Sequence, residues 1–239
     1  MEFESFFEEI KEKLKKININ IDEVQAKNLY EYMKLMLEWN EKINLTAITE
    51  PKEVILKHFV DSLTILKYLS KEEKIIDVGT GAGFPGIPLN IMKNDCNYTL
   101  LDSLNKRITF LNEVINNLEL KNINTIHSRV EEIGKNKKYR ESYDIATSRA
   151  VAPLNILLEY LLPLVKVGGK CICMKGSNIE EEIESAKNAI KILGGEIEKI
   201  EKITLPDSDM VRNIVIIKKV KQTPVKYPRK PGTPSKEPI

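Results

Sequence analysis

Residues 75–86 read Ile75-Ile76-Asp77-Val78-Gly79-Thr80-Gly81-Ala82-Gly83-Phe84-Pro85-Gly86. An apolar run ends in an acid, and four glycines follow within eight residues before an apolar helical pattern resumes. Glycine adopts backbone angles that other residues avoid and has no side chain to block a ligand. A glycine turn between a strand and a helix also directs the free N–H groups of the helix N-terminus at that ligand. The stretch therefore predicts a site for a nucleotide-like cofactor.

The chain around this stretch has the pattern of an α/β sheet. From Lys74 onward, short apolar runs alternate with helical patterns, which is typical of parallel strands joined by helices. Strands are predicted near residues 74–78, 97–102, 123–127, 143–147 and 169–174, and helices near 86–93, 105–117, 153–163 and 178–192.

The end of this region has a different pattern. Two further strands, 196–205 and 210–219, are separated by only four residues, which is too short for a crossover helix. This last pair must therefore be antiparallel. The predicted fold is α/β and Rossmann-like, with a mostly parallel seven-stranded sheet that ends in an antiparallel hairpin, an arrangement that resembles the class I methyltransferases at the level of the fold alone.

Three segments are expected along the chain. Residues 1–70 form a helical N-terminal portion packed on the core, with helical patterns over 3–17, from the N-cap Asp22 to Trp39, and from Lys52 to Leu69. Residues 71–220 form the α/β domain, and Gly168-Gly169 is expected to mark a helix-to-strand turn in it. Residues 221–239, the C-terminal tail, carry five of the 11 prolines. The tail is expected to be extended, with order that depends on a partner.

Two frames fit the glycines of the turn. Gly81 to Gly86 match the dinucleotide pattern G-x-G-x-x-G, and Asp102 ends the second strand, where an acid binds a ribose hydroxyl. Counted from the strand end, however, the turn is Asp77-x-Gly79-x-Gly81-x-Gly83. A carboxylate at Asp77 disfavours a pyrophosphate but suits the ammonium and sulfonium groups of S-adenosylmethionine. The spacing favours S-adenosylmethionine, while a dinucleotide and a purely structural turn stay open.

Two further acids fall where this fold class holds a nucleoside. Asp102 can accept hydrogen bonds from both ribose hydroxyls, or it can cap the helix that starts near Asn105. Val130 and Glu131 follow the third strand, where the adenine ring would rest. Glu131 equally fits an ordinary first-turn acid that complements a helix dipole.

The charge distribution separates the tail from the body. The chain has 37 Lys and Arg against 35 Asp and Glu, yet seven basic residues and one acid lie from Lys218 onward. A basic tail on an acidic body indicates an anionic partner such as RNA, or a terminus kept solvated by its charge.

Other features bear on compartment and metal binding. No apolar run approaches the length of a membrane span, and the N-terminus lacks the features of a signal peptide, so we expect a cytoplasmic protein without membrane contact. We also expect a monomer. Cys96, Cys171 and Cys173 are expected to pack in the core rather than to bind a metal.

If the cofactor is S-adenosylmethionine, the residues after the fourth and fifth strands limit which atoms can accept its methyl group. Methyl transfer to cytosine C5 uses a cysteine that follows a proline, and no cysteine here does so. Methyl transfer to an exocyclic amine uses an Asn/Asp-Pro-Pro-aromatic segment, which residues 147–153 lack. An acceptor with a free lone pair, such as guanine N7, needs only placement and electrostatics and no general base. Arg149 and Lys175 face the predicted cleft and are candidates for placing the substrate, with surface ion pairs as the alternative.

Five segments together resemble the rRNA small subunit methyltransferase G family, also known as glucose-inhibited division protein B. They are residues 39–47, 58–63, 77–86, 101–107 and 227–236. Ser148-Arg149-Ala150 and Met174-Lys175-Gly176 fit as well, and Gly-Phe-Pro-Gly at 83–86 is specific to this family. A nucleotide-dependent oxidoreductase and an RNA-binding module with a vestigial pocket are the alternatives.

The resemblance implies an enzyme that uses S-adenosylmethionine to methylate N7 of a guanine in the 530 loop of 16S rRNA (position 527 in standard rRNA numbering). Its partner would be 16S rRNA, a 30S subunit or an assembly intermediate. The cofactor contacts that the resemblance implies are Gly79, Phe84, Asp102, Ser103, Leu104, Val130, Glu131 and Arg149. The argument from the glycine turn adds Asp77 and Gly81 to the same pocket. RNA contacts are expected at Lys226, Arg229 and Lys230. His58 and Asp61 either pair with each other on one helix or shape the cleft.

Overall fold

The predicted strands pair into one sheet in a computed structural model that describes residues 1–239. The strands are β1 (Lys74–Val78), β2 (Asn97–Asp102), β3 (Ile123–His127), β4 (Tyr143–Arg149), β5 (Val165–Lys175), β6 (Gly195–Thr204) and β7 (Val211–Lys219). Their order is β3-β2-β1-β4-β5-β7-β6. The first five strands pair in parallel, whereas β7 is antiparallel to both β5 and β6. This confirms the predicted seven-stranded sheet with its closing antiparallel hairpin.

The bounds of β1, β2 and β3 are those predicted, but β5 begins earlier, at Val165. Gly168-Gly169 was expected to mark the turn before the strand, and it lies inside the strand instead. Gly168 has a φ of +90°, and the pairing of β4 with β5 shifts register between Tyr143 and Ile145. A glycine inside a strand commonly marks such an irregularity, and here the strand continues through it.

The N-terminal portion begins with α1 (Phe3–Lys16) and α2 (Glu23–Ile43). Asp22 caps α2 as expected: its side chain accepts a hydrogen bond from Gln25 N at 2.8 Å, and the Gln25 side chain accepts one from Asp22 N at 3.1 Å. The third predicted helix is divided into α3 (Pro51–Val54), a π-helical turn (Ile55–Val60), α4 (Asp61–Leu63) and a 3₁₀ turn (Leu66–Tyr68). The π-helical turn carries His58 and ends just before Asp61.

The remaining helices cover both faces of the sheet. They are α5 (Gly86–Met92), α6 (Asn105–Asn117), α7 (Val130–Ile133), α8 (Leu154–Leu161) and α9 (Ile179–Leu193). Successive strand residues point to opposite faces. Accordingly, Ile75 joins a core with the N-terminal helices, α5 and α6, whereas Ile76 joins a second core with α8 and α9.

The cysteines and helices give two further findings. Cys171 and Cys173 are buried in the second core and Cys96 in the first, all three as free thiols, in agreement with the expected packing. No three His, Cys, Asp or Glu side chains are grouped to hold a metal ion. No helix combines the length and the apolarity needed to cross a bilayer.

The C-terminal tail returns across the α8 face and ends in α10 (Thr233–Lys236). Arg140 donates hydrogen bonds of 2.7 Å to the carbonyl oxygens of Thr223 and Tyr227, and both of these residues are buried. Pro228 packs against Gly134. This differs from the expected extended, partner-dependent segment, because the body itself supplies the donors and the apolar contacts that hold the tail.

Candidate active site

Two cavities meet at the carboxyl edge of the sheet. Because β1 lies between β2 and β4, the connections that leave these strands diverge here, and open α/β sheets bind ligands at such a point. Each cavity has a volume of about 410 Å³, and both are lined by Ala150. We call them the β2-side cavity and the β5-side cavity. A larger cleft of about 670 Å³ lies at the opposite edge, where β1, β2 and β3 begin.

The glycine turn forms one wall of the β2-side cavity. Gly79 lines the cavity with a φ of +68°, and a Cβ atom there would come within 2.5 Å of Val151. Asp77 lies beneath the turn and lines neither cavity. Its Oδ2 accepts hydrogen bonds from Thr80 Oγ1 at 2.7 Å and from Gly86 N at 2.9 Å, so the carboxylate ties the start of the turn to its end. Burial raises the pKa of Asp77 to about 6, and its Oδ1 has no partner.

Asp102 lines the same cavity and is 3% exposed. Its Oδ2 accepts hydrogen bonds from Gly81 N at 3.0 Å and Arg107 Nη1 at 3.3 Å, while Oδ1 accepts one from Leu104 N at 2.9 Å. The helix-cap alternative does not hold, because α6 begins at Asn105 and has no side-chain cap. Asp102 instead joins the glycine turn to the loop after β2, and Oδ1 keeps one free lone pair.

Glu131 and the C-terminal tail close the far side of the β2-side cavity. Glu131 lines the cavity, and its Oε1 accepts a hydrogen bond from Gly232 N at 3.2 Å. Tyr160 and Ser235 are also lining residues, and their hydroxyl oxygens lie 3.2 Å apart. Sequence reasoning missed both of them, since only the docking of the tail on α8 brings Ser235 to this place.

The structure separates the other predicted cofactor residues. Ser103 and Val130 line the β2-side cavity with the acids. Leu104 is exposed and reaches Asp102 through its backbone N–H. Phe84 is buried beside the turn and stacks on His58, with ring centroids 4.4 Å apart. Arg149 lines the β5-side cavity.

A buried carboxylate, Asp61, organises the β5-side cavity. Its Oδ2 accepts a hydrogen bond from Arg149 Nη1 and its Oδ1 accepts one from Arg212 Nε, both at 3.1 Å. Asp61 and His58 therefore do not pair with each other, and both contact Arg149 instead. Arg212 belongs to β7 and was not among the predicted site residues. No local spacing reveals it, because 151 residues separate it from Asp61.

Lys175 also lines the β5-side cavity, and its side chain is 9% exposed. Its Nζ donates hydrogen bonds to Ala152 O at 2.8 Å and contacts Glu182 Oε2 at 2.7 Å. The same Glu182 oxygen accepts a hydrogen bond from Leu154 N, the first residue of α8. The structure thus brings Arg149 and Lys175 to one cavity, as predicted, and pairs each of them with an acid.

The hydrogen bonds of His58 determine its tautomer. Arg149 Nη2, which can only donate, lies 3.1 Å from Nδ1, so Nδ1 is the unprotonated acceptor. Nε2 therefore carries the proton and donates to Thr46 Oγ1 at 2.8 Å. Burial, reinforced by the positive charge of Arg149, lowers the pKa of His58 to about 3. His58 is neutral at physiological pH with both nitrogens engaged.

This burial predicts an acid-sensitive stability. Below its normal pKa of 6.5, His58 takes up a proton in the unfolded chain but stays neutral in the folded protein down to about pH 3. The folded state therefore loses stability as the pH falls. Between pH 7 and pH 5 we expect His58 to account for about 2 kcal/mol of the decrease in the free energy of unfolding. Urea denaturation of His58→Gln should show a decrease smaller by that amount.

His127→Asn is the matched control, since His127 is the only other histidine and is exposed. Its pH dependence should follow that of the unmodified protein. Equal pH dependence of the unmodified protein and His58→Gln would contradict a neutral, buried His58.

The three predicted RNA contacts in the tail have different environments. Lys226 and Lys230 are exposed and form no ion pair with an acid. Arg229 contacts Glu159, a carboxylate whose side chain is 1% exposed, through Nη2 at 2.7 Å and Nε at 3.0 Å. The charge of Arg229 thus neutralises a buried acid, whereas the charges of the two lysines face solvent.

Comparison with solved structures shows the fold class. The M. jannaschii TYW2 in complex with AdoMet matches with a TM-score of 0.54 and 15% identity, over 67% of this chain and 75% of that one. A SAM-dependent methyltransferase from Aquifex aeolicus matches with a TM-score of 0.52 and 17% identity, over 70% and 93% of the two chains. The sheet order and these neighbours define a Rossmann-like protein with the class I methyltransferase fold.

Comparison of sequences shows the family. A family model described as rRNA small subunit methyltransferase G matches residues 25–211. Proteins named ribosomal RNA small subunit methyltransferase G from Alkaliphilus metalliredigens (strain QYMF) and Alkaliphilus oremlandii (strain OhILAs) are 53% and 55% identical over 232 residues. In both cases the match covers 96% of this chain and 97% of the relative. The chain belongs to the rRNA small subunit methyltransferase G family, and its cofactor is S-adenosylmethionine.

Proposed function

We propose that this protein transfers a methyl group from S-adenosylmethionine to N7 of a guanine in the 530 loop of 16S rRNA, at position 527, by direct in-line transfer without a general base. The name of its family supports methylation of small-subunit rRNA. The observation that supports the N7 chemistry is a basic cavity next to the cavity of the predicted cofactor residues, in which neither His58 nor Asp61 is free to accept a proton.

The β2-side cavity has acceptors that fit the adenosine part of the cofactor. Asp102 Oδ1 keeps a free lone pair, and Glu131 Oε2 makes no hydrogen bond within the protein. Ribose hydroxyls and an adenine amino group are donors and complement these two oxygens. Gly79 leaves the floor of the cavity clear of a side chain. S-adenosylmethionine supplies a methyl group on a sulfonium, and the proposed role of these residues is to hold and orient it.

The β5-side cavity has the charge that an RNA base and its phosphates require. Arg149, Lys175 and Arg212 line it together with two acids. Both nitrogens of His58 are engaged, and both oxygens of Asp61 are bound by arginines, so these groups position neighbours rather than move protons. Guanine N7 already carries a lone pair, and its methylation requires no proton removal. The contribution of the protein is then placement and electrostatics.

The exposed tail lysines supply further positive charge outside the two cavities. We propose that Lys226 and Lys230 contact RNA phosphates, and that the protein acts as a monomer in the cytoplasm. Free 16S rRNA, an assembly intermediate and the 30S subunit remain the candidate substrates.

Two experiments test this function. Mass mapping of 16S rRNA from a strain that lacks the gene should show the methyl group missing, and its persistence would contradict the assignment.

Calorimetry should show binding of S-adenosylmethionine and not of NAD. Asp102→Ala should weaken cofactor binding at least 10-fold while sparing RNA binding. Asp95→Ala, which removes an exposed acid near the amino end of β2, should bind the cofactor normally.

A further inference from the structure

The β5-side cavity contains a charged pair, of which one member, Glu182, has no role toward the substrate in the description so far. Lys175 and Glu182 lie on one wall, joined by a contact of 2.7 Å. Only Glu182 Oε2 is used within the protein, by Lys175 and by Leu154 N. Glu182 Oε1 makes no hydrogen bond, and the Lys175 ammonium donates one hydrogen bond, to Ala152 O, and contacts Glu182 Oε2, so at least one of its three donors is free. One free acceptor and one free donor are therefore adjacent in this cavity.

Resting on the proposed function, we propose that Glu182 reads the Watson–Crick edge of the target guanine and is a specificity-determining residue of this enzyme. Guanine presents an acceptor, O6, next to two donors, N1–H and the N2 amino group. Lys175 donates to O6, and Glu182 Oε1 accepts from N1–H and the N2 amino group. Adenine presents the opposite pattern, an amino donor next to the N1 acceptor. Its amino group would face the Lys175 ammonium, which also donates, and its N1 would face the Glu182 carboxylate, which also accepts.

The order of groups along the wall also orients the reacting atom. Lys175 bridges Glu182 on one side and Ala152 O on the other, and Ala152 lines the β2-side cavity. In guanine, O6 lies between N1 and N7. With N1 at Glu182 and O6 at Lys175, N7 lies on the Ala152 side, toward the cavity that fits the cofactor. Recognition of the Watson–Crick edge thus leaves the N7 lone pair free and points it at the methyl donor.

The alternative role of Glu182 is purely structural. It neutralises Lys175 and accepts a hydrogen bond from the first residue of α8, which has no side-chain cap of its own. A structural residue and a base-reading residue would both lower activity when replaced. They differ in whether the loss depends on the identity of the base.

Inosine separates the two roles, because it keeps O6, N1–H and N7 but lacks the N2 amino group. The substrate is 16S rRNA, prepared by ligation with guanine or inosine at the mapped target and assayed both free and after reconstitution into 30S particles. Single-turnover methylation by the unmodified enzyme should favour guanine over inosine by about 10- to 100-fold. Glu182→Gln and Glu182→Ala should reduce this preference to less than about 3-fold. Glu181→Gln, which changes an exposed neighbour that makes no ion pair, should keep the full preference.

The preference is a ratio measured within one preparation, so a variant that is only partly folded still reports it. If the Glu182 variants lose activity on both RNAs by the same factor, Glu182 is structural and the inference fails. If the unmodified enzyme prefers guanine no more than inosine, the inference fails as well. If the unmodified enzyme methylates the guanine substrate neither as free 16S rRNA nor in the reconstituted particle, the proposed function itself is wrong.

Discussion

Asp61→Ala is expected to lower the free energy of unfolding by about 3–5 kcal/mol, as measured by urea denaturation. Asp61 is 2% exposed and binds Arg149 and Arg212 through different oxygens. Its removal leaves two guanidinium groups near each other without a counter-charge. Arg149, whose side chain is only 14% exposed, cannot recover its hydration without leaving the cavity wall. The remaining partners of Arg149, the carbonyl oxygen of Lys57 and the His58 ring, carry no charge.

Two variants control for this effect. Asp61→Asn keeps the shape and one acceptor oxygen but loses the charge, so it should destabilise the protein less than Asp61→Ala. Asp207 also contacts two cations, Lys13 and Lys16, but its side chain is 48% exposed. Since exposed ion pairs contribute little, Asp207→Ala should leave the urea midpoint unchanged. Equal shifts for Asp61→Ala and Asp207→Ala would show that burial of the carboxylate is not the source of the effect.

The Asp61 network also links stability to activity. Arg149 is held by Asp61, by the His58 ring and by the Lys57 carbonyl, and its guanidinium lies 5.0 Å from the centre of the Phe84 ring. The same side chain lines the β5-side cavity. At temperatures where Asp61→Ala remains folded, displacement of Arg149 should lower methylation by up to about 100-fold. A fully active, folded variant would contradict a placement role for Arg149.

The sequence is sufficient to predict what depends on local pattern. Hydrophobic runs and the glycine turn identify β1, β2 and β3 with their bounds, and the hairpin follows from the shortness of the connection after β6. The capping box at Asp22 is also a local signal. Gly79, Asp102 and Glu131 of the β2-side cavity are predictable for a related reason, since each lies at or shortly after the carboxyl end of a strand, and in a parallel sheet these ends share one edge.

Contacts between distant segments could not be predicted in this way. The π-helical turn shows no distinct spacing, and the partnership of Asp61 with Arg212 depends on the antiparallel placement of β7. Asp77 shows a different limit. Its position at the strand end suggested a direct cofactor contact, but the closing of the turn places its carboxylate on Thr80 and Gly86 instead.

The tail shows how composition alone misleads. Its prolines and basic residues indicate an extended segment with an RNA partner, and Arg229 was included in that surface. A signal for the docked arrangement was nevertheless present in α8, where Glu159 is the single charged residue in a mostly apolar helix. A buried acid requires a cation, and the tail supplies it.

Of the three basic tail residues discussed above, only Arg229 pairs with a buried acid, so its removal should destabilise the protein. Arg229→Ala should lower the free energy of unfolding by about 3 kcal/mol, because it leaves Glu159 buried without its cation. Glu159 also accepts a hydrogen bond from Arg229 N at 2.8 Å, which survives the substitution but does not replace the charge. Urea denaturation measures the loss. The double variant Arg229→Ala with Glu159→Gln should recover part of the stability, since the uncompensated charge is then absent.

Lys230→Ala and Lys226→Ala are the matched controls on the same segment. Both lysines are exposed, so neither change should move the urea midpoint. Each should instead weaken RNA binding and reduce the slope of log K against log salt concentration by about 1, because one phosphate contact is lost. Arg229→Ala, measured at a temperature where it is folded, should leave the salt slope nearly unchanged, since its charge is already neutralised by Glu159. If the slope fell for Arg229→Ala as much as for the lysine variants, Arg229 would have to be counted among the residues that contact RNA.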